Sequence, residues 1–173
     1  MERLPQRKRN RLEGYNYSAP GAYFVTICTL EKRCILSSII VGEGLAPPAV
    51  HLSEIGKIAE QQLLALPERF PALEIINYVL MPNHIHILLM LRETEKTGGA
   101  SPSPTVSTIM GAYKSLTTRL ARPFLPGQHL FQRSFHEHVI RGERDYREIR
   151  VYIETNPAGW AGDRYFADME RID

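Results

Sequence analysis

The stretch that most constrains this chain is residues 77–91, N-Y-V-L-M-P-N-H-I-H-I-L-L-M-L. Two apolar runs flank Met81-Pro82-Asn83, a tripeptide with the composition of a corner, so the chain should reverse there and pair with itself as a hairpin. Side chains alternate along a strand, which puts His84 and His86 on one face and sends Ile85, Leu89 and Leu91 to the other, with the core. Two imidazoles then stand side by side on a rigid support. Neutral imidazole is the commonest side-chain metal ligand, and such a pair can grip a divalent ion without induced movement. An arbitrary H-x-H is better read as one histidine capping a sheet edge and one hydrogen-bonded at the surface. The rest of the chain has to decide between the two.

A length of 173 residues with 43% hydrophobic content supports one domain with a full core and is short for two. The net charge of +2 is small, but Arg3, Arg7, Lys8, Arg9 and Arg11 crowd the first eleven residues. Such an arm (residues 1–13) suits phosphate neutralisation, and equally a solvated terminus. Cys28 and Cys34 have no second pair at zinc-site spacing, which predicts reduced thiols. No apolar run reaches the length of a membrane span, and the first residues lack a signal-peptide core. The expectation is a soluble cytoplasmic protein, associated with the nucleoid if the basic arm meets DNA.

Residues 22–30, A-Y-F-V-T-I-C-T-L, are dense in β-branched and aromatic residues and predict a first strand. Residues 41–50, with two glycines and Pro47-Pro48, predict a connection. Ser53 can cap a helix along which Ile55, Ile58, Ala59, Gln62 and Leu63 recur at three and four residues until Pro67. Strands at 73–80 and 85–91 form the hairpin. Residues 93–104, E-T-E-K-T-G-G-A-S-P-S-P, predict a flexible surface loop. Helical periodicity returns over 106–122, with Ile109, Met110, Tyr113, Leu116, Thr117 and Leu120 on one side and Lys114, Arg119 and Arg122 elsewhere. Residues 131–141 predict a last strand and 143–155 a last helix. The order βαββαβα suits an α+β fold, a ferredoxin-like antiparallel sheet with helices on one face, extended by a C-terminal helix.

That last helix carries a second chemical candidate. Tyr152 and Asn156 are four residues apart and share a helical face, so a phenol and an amide oxygen project together. Taken alone, the pair reads as a half-buried aromatic and a helix C-cap.

Four blocks in this order change the balance: G-Y-N-Y-S-A-P-G-A-Y-F-V-T-I-C-T (14–29), V-L-M-P-N-H-I-H-I-L-L (79–89), G-A-Y-K-S-L-T-T-R (111–119), and F-Q-R-S-F-H-E-H-V-I-R with R-V-Y-I-E-T-N-P (131–141, 150–157). Together they resemble the single-tyrosine HUH transposases, in particular the bacterial REP-associated tyrosine transposase branch, over nearly the whole chain. The resemblance implies an HUH-type fold whose C-terminal helix carries the nucleophile. It also implies cleavage and rejoining of single-stranded DNA at REP-like hairpins, through a tyrosine joined to the 5′ phosphate. On that likeness Tyr152 is the nucleophile, and His84, His86 and Asn156 are the metal ligands. Related insertion-sequence enzymes often place glutamine where Asn156 stands. Magnesium or manganese fits the family, although imidazoles also accept zinc or nickel. The protein would act as a monomer or homodimer.

The remaining residues divide by context. Tyr113 reads as packing, and Lys114 and Arg119 as phosphate contacts beside the arm's Arg7, Lys8, Arg9 and Arg11. His136 and His138 form a second same-face pair, for which a structural or DNA-contacting role is favoured. Tyr15, Tyr17 and Tyr23 lie next to the arm and suit base stacking, with core packing as good an account of Tyr23. Two other classes stay open. One is a metal-dependent hydrolase using His84, His86 and His138 without a covalent intermediate. The other is a DNA-hairpin-binding module without activity.

Overall fold

The corner at Met81-Pro82-Asn83 closes as its composition predicts, with the Met81 amide donating to the His84 carbonyl at 2.9 Å. It joins β4 (Leu73–Leu80) to β5 (His84–Leu91), which pair antiparallel with Leu80 opposite Ile85 and Val79 opposite His86. The computed structural model describes residues 19–40, 48–93 and 104–167. The basic arm, Tyr15, Tyr17 and nearly all of the predicted 93–104 loop lie outside those residues.

β5 pairs on its other side with β1 (Gly21–Cys28), and β1 in turn with β6 (His136–Val139). The order β4-β5-β1-β6 is that of a ferredoxin-like sheet, antiparallel throughout. The two central strands are covered on both faces, which is why β5 reads as an almost unbroken apolar run. One face presents Tyr23, Val25 and Ile27 from β1 and Ile85, Ile87, Leu89 and Leu91 from β5. Two helices cover it, α1 (Glu54–Leu64) through Ile55, Ala59 and Leu63, and α3 (Val106–Leu120) through Ile109, Met110 and Tyr113. Each such buried aliphatic side chain contributes roughly 1.5–3 kcal/mol.

Ser53 caps α1 as predicted, its hydroxyl oxygen accepting from the Gly56 amide at 3.0 Å. Gly56 lets α1 approach the preceding segment closely, since a Cβ there would lie 2.0 Å from the Leu36 carbonyl oxygen. Thr105 caps α3 in the same way, accepting from the Thr108 amide at 3.1 Å.

The opposite face carries α4 (Glu143–Thr155). Gly142 precedes it with φ 96°, a conformation that costs glycine little. Asp145 ties the helix start to β6, its carboxylate accepting from the Arg141 amide at 3.0 Å and pairing with His138 Nε2 at 2.8 Å. These partners hold the Asp145 carboxyl below the usual range. Ile153 is the buried anchor of α4, and Asn77 donates to Glu154 from β4 at 3.3 Å.

The fold departs from the sequence reading at four places. Residues 49 and 50, expected in a connection, belong to β3 (Ala49–Leu52), which pairs with β2 (Ser37–Ile40) in a separate two-stranded sheet. Pro48 lies immediately before β3, where its missing N–H costs no ladder bond. The last strand occupies only His136–Val139, with Phe131 reduced to a single bridge opposite Thr29. Beyond α4 the chain continues as a 3₁₀ segment (Asn156–Gly162) and a short helix α5 (Arg164–Ala167). A further short helix, α2 (Leu66–Arg69), starts at Leu66 with Pro67 in its first turn.

Candidate active site

His84 and His86 project from β5 away from the α1/α3 core, and both are buried, not at a solvent-facing edge. Their Nε2 atoms are 3.1 Å apart. Each ring is held from behind through Nδ1. That of His84 donates at 2.8 Å to the Asn83 Oδ1, a carbonyl oxygen that can only accept, so the His84 Nε2 directs a lone pair inward. That of His86 pairs with the Thr26 hydroxyl at 2.8 Å, across the β1–β5 register that sets Thr26 opposite His86. Such outer partners fix the ring orientation of metal-binding histidines.

Tyr152 reaches the same place from α4. Its hydroxyl lies 3.3 Å from His86 Nε2, and its ring packs edge-on to Phe24. With 38% of its surface exposed, the residue is open to solvent while its oxygen points at the imidazoles. Asn156, one turn on, is buried. Its amide nitrogen is 3.4 Å from Asp163 Oδ2, and Asp163 Oδ1 accepts from the Tyr165 amide at 2.6 Å. The Tyr165 ring rests on His84 with centroids 4.4 Å apart, which links Asn156 to the histidines through one short segment.

The donor set fits a divalent cation. Two nitrogens bound to one ion at about 2.1 Å and near right angles stand about 3 Å apart, close to the separation of the two Nε2 atoms. At that distance the two Nε2 atoms share either the proton of one ring, as a hydrogen bond, or a cation. Among the described residues no group of three His, Cys, Asp or Glu side chains is arranged to hold a metal ion, so a three-ligand site here would need a ligand of another type. The Asn156 Oδ1 is buried without a hydrogen-bond partner among the described residues. An orphaned buried carbonyl oxygen is costly unless a water or an ion satisfies it, and a hard cation is well matched to such an oxygen.

The other residues singled out in the sequence lie elsewhere. Tyr113 is buried in the core and donates to the Ala59 carbonyl at 3.0 Å, and burial pushes its phenol far above the ordinary range. It is a packing residue. Lys114 donates to the carbonyls of Gln132 and Arg133 at 2.6 and 2.9 Å, leaving one of its three N–H groups, and burial lowers its ammonium pKa. Arg119 is exposed on α3. Tyr23 belongs to the core, its hydroxyl donating to the Ala19 carbonyl at 2.8 Å. His136 and His138 line a cleft of about 500 Å³ beside the histidine pair, with Phe24, Thr26, Lys32 and Gln132. His138 is engaged by Asp145.

Thr26, Asn83, Asp163 and Tyr165 were missed by the sequence reading, as was Trp160, whose ring centroid lies 6.1 Å from that of His84. Asn83 had a signal in its adjacency to His84. Thr26 had none, because its role depends on strand register.

No family model matches the chain. An uncharacterized protein of Haemophilus influenzae is 31% identical over 178 aligned positions, covering 95% of this chain and 96% of that protein. Among solved structures, a REP-associated tyrosine transposase bound to a REP hairpin superposes with a TM-score of 0.59 at 20% identity, over 93% of this chain and 77% of that one. Among the described residues no helix is long and apolar enough to cross a membrane. The identity spans nearly the full length of both chains, so this chain belongs to the same family as the Haemophilus influenzae protein, and it has the fold of a REP-associated tyrosine transposase.

Proposed function

We propose that this protein cleaves and rejoins single-stranded DNA beside a hairpin, as a transposase or a resident REP-associated relative, with Tyr152 as nucleophile. One observation carries the reading: the Tyr152 hydroxyl lies 3.3 Å from His86 Nε2, which itself lies 3.1 Å from His84 Nε2, within one chain. The fold shared with a hairpin-bound transposase supports it.

The chain's own residues then divide the work. His84, His86 and Asn156 would hold a divalent ion, magnesium or manganese, which when bound offsets charge on the scissile phosphate and eases ionisation of a nearby phenol. Tyr152 attacks phosphorus through its phenol oxygen, losing its proton to solvent on the exposed side of the ring. The P–O3′ bond breaks, and the 3′ oxygen leaves and takes up a proton as a hydroxyl. The 5′ phosphate stays on Tyr152. Attack by a 3′ hydroxyl on that phosphotyrosine reverses the step and releases the phenol, so rejoining needs no nucleotide cofactor. Thr26 and Asn83 position the imidazoles, and Phe24 holds the tyrosine ring edge-on.

Because Tyr152 meets the histidine of its own chain, the tyrosine helix serves its own subunit in this reading, and a monomer suffices. Arg119, the remaining N–H of Lys114, and Arg7, Lys8, Arg9 and Arg11 of the arm would contact phosphates. A denaturing gel for a covalent protein–DNA adduct on hairpin-bearing single-stranded DNA tests the proposal. An adduct that maps to Tyr152 is expected; cleavage without any adduct would establish a hydrolase instead.

A further inference from the structure

A second cleft, of about 620 Å³, opens between α3 and residues 129–133. Arg119, Arg122, Arg133 and Lys114 surround it, with the hydroxyls of Ser115 and Thr118 between them. Among the described residues none of these four cations pairs with a carboxylate. The arginines of α4 provide the contrast. Arg144, Arg147 and Arg150 are each matched to a glutamate one turn away, Glu148, Glu143 and Glu154. Arginines held in intramolecular pairs form a solvated face, whereas unpaired cations converging on a concavity form an anion site.

Gln132 lines this cleft and also the cleft beside the histidine pair. Its backbone is locked, the amide donating to the Cys28 carbonyl at 3.0 Å and the carbonyl accepting from Lys114 at 2.6 Å. Its side-chain amide makes no hydrogen bond among the described residues. A rigidly mounted amide with both a donor and an acceptor to offer suits the edge of an unpaired base.

We infer that the two clefts form one continuous track for single-stranded DNA. Arg119, Arg122 and Arg133 hold successive phosphates in the outer cleft, and Gln132, at the crest, reads one base before the strand reaches Tyr152. The inference deepens the function proposed above and rests on it for the identity of the nucleic acid. It assigns roles to Arg122, Arg133 and Gln132, and it makes Lys114 a strut that fixes the crest.

Fluorescence anisotropy with full-length protein carrying Tyr152→Phe tests the track without requiring chemistry. The probe is a hairpin oligodeoxynucleotide with single-stranded flanks, titrated over a range of salt concentrations. Replacing Arg119, Arg122 and Arg133 together by glutamine should reduce the slope of log affinity against log salt by about 2, at roughly 0.7 per single-strand phosphate contact, and each single variant by about a third of that. Arg144→Gln should leave the slope unchanged. For Gln132, probes with one flank base changed at a time should show a preference at one position that collapses in Gln132→Ala with the salt slope intact. Gln132→Glu, which keeps the size and only accepts, should reorder the bases at that same position. An unchanged slope in the triple variant, or an equal fall in Arg144→Gln, overturns the phosphate track. A base ranking that survives both Gln132 variants overturns the reading role. If wild-type protein forms no adduct while these binding effects appear, the covalent mechanism fails and the track stands.

Discussion

The Tyr152 hydroxyl and Nε2 of His86 are 3.3 Å apart although the residues are 66 positions apart in the chain. Tyr152→Phe should therefore reduce adduct formation below detection while hairpin binding persists. Tyr113→Phe should leave the adduct intact, since that phenol is buried against the Ala59 carbonyl. Mass spectrometry of the digested adduct checks both, and a label on Tyr113 or on a 3′ phosphate would show the site to be misassigned.

The histidine partners make a separate prediction. Alanine at His84 or His86 should abolish cleavage and spare hairpin binding. Thr26→Val keeps the shape but removes the hydroxyl behind His86, and should lower metal affinity or cleavage about 10–100-fold, the usual cost of losing such a partner. Cleavage rates across a manganese titration measure this. Full activity in a chelator would contradict the metal's role.

Asn156 can be tested without turnover. Ion binding to the native state stabilises by RT ln(1 + [M]/Kd), so manganese should raise the melting temperature of the wild type more than that of Asn156→Ala. In metal-free buffer the variant should lose only the long 3.4 Å contact of the Asn156 amide nitrogen with Asp163, because among the described residues the oxygen it deletes has no hydrogen-bond partner. Its cleavage should fall less than that of either histidine variant. An equal metal-induced shift in both proteins would remove Asn156 from the ligand set.

Gly56→Ala should destabilise at the upper end of the roughly 1–3 kcal/mol seen for overpacking. The new Cβ would meet backbone, the Leu36 carbonyl oxygen at 2.0 Å, which cannot swing aside as a side chain can. Urea denaturation of wild type and variant measures the difference. A change under 0.5 kcal/mol, on the order expected at an open surface site, would mean that α1 is not tightly seated.

Tyr113 predicts behaviour at alkaline pH. Burial raises its folded-state pKa above the unfolded value near 10, so its contribution is complete below about pH 10 and is lost as pH rises beyond it. Up to about 1.4 kcal/mol of stability per pH unit should disappear there on its account. Tyr113→Phe should flatten that limb while costing about 1 kcal/mol at neutral pH for the lost bond to Ala59. Parallel alkaline limbs in the two proteins would show that Tyr113 ionises freely in the folded state.

Local pattern by itself settled a good deal. The corner at Met81-Pro82-Asn83, the alternation that aligns His84 with His86, the Ser53 cap and the one-turn spacing of Tyr152 and Asn156 all depend on neighbours within a few residues, and the backbone follows them. Element order and the ferredoxin-like sheet followed from those periodicities. What the sequence could not supply was register and long-range meeting. Thr26 stands behind His86 because β1 and β5 pair with one particular offset. The β2–β3 pair was hidden because each strand is only four residues long and its signal is weaker than that of the prolines and glycines between them. The contact of Tyr152 with His86, the seating of Tyr165 on His84 and the two clefts that share Gln132 depend on how α4 and the chain beyond it settle on the sheet. That docking is fixed by the burial of Ile153 and the tie from Asp145 to β6, interactions between residues whose proximity no local pattern encodes.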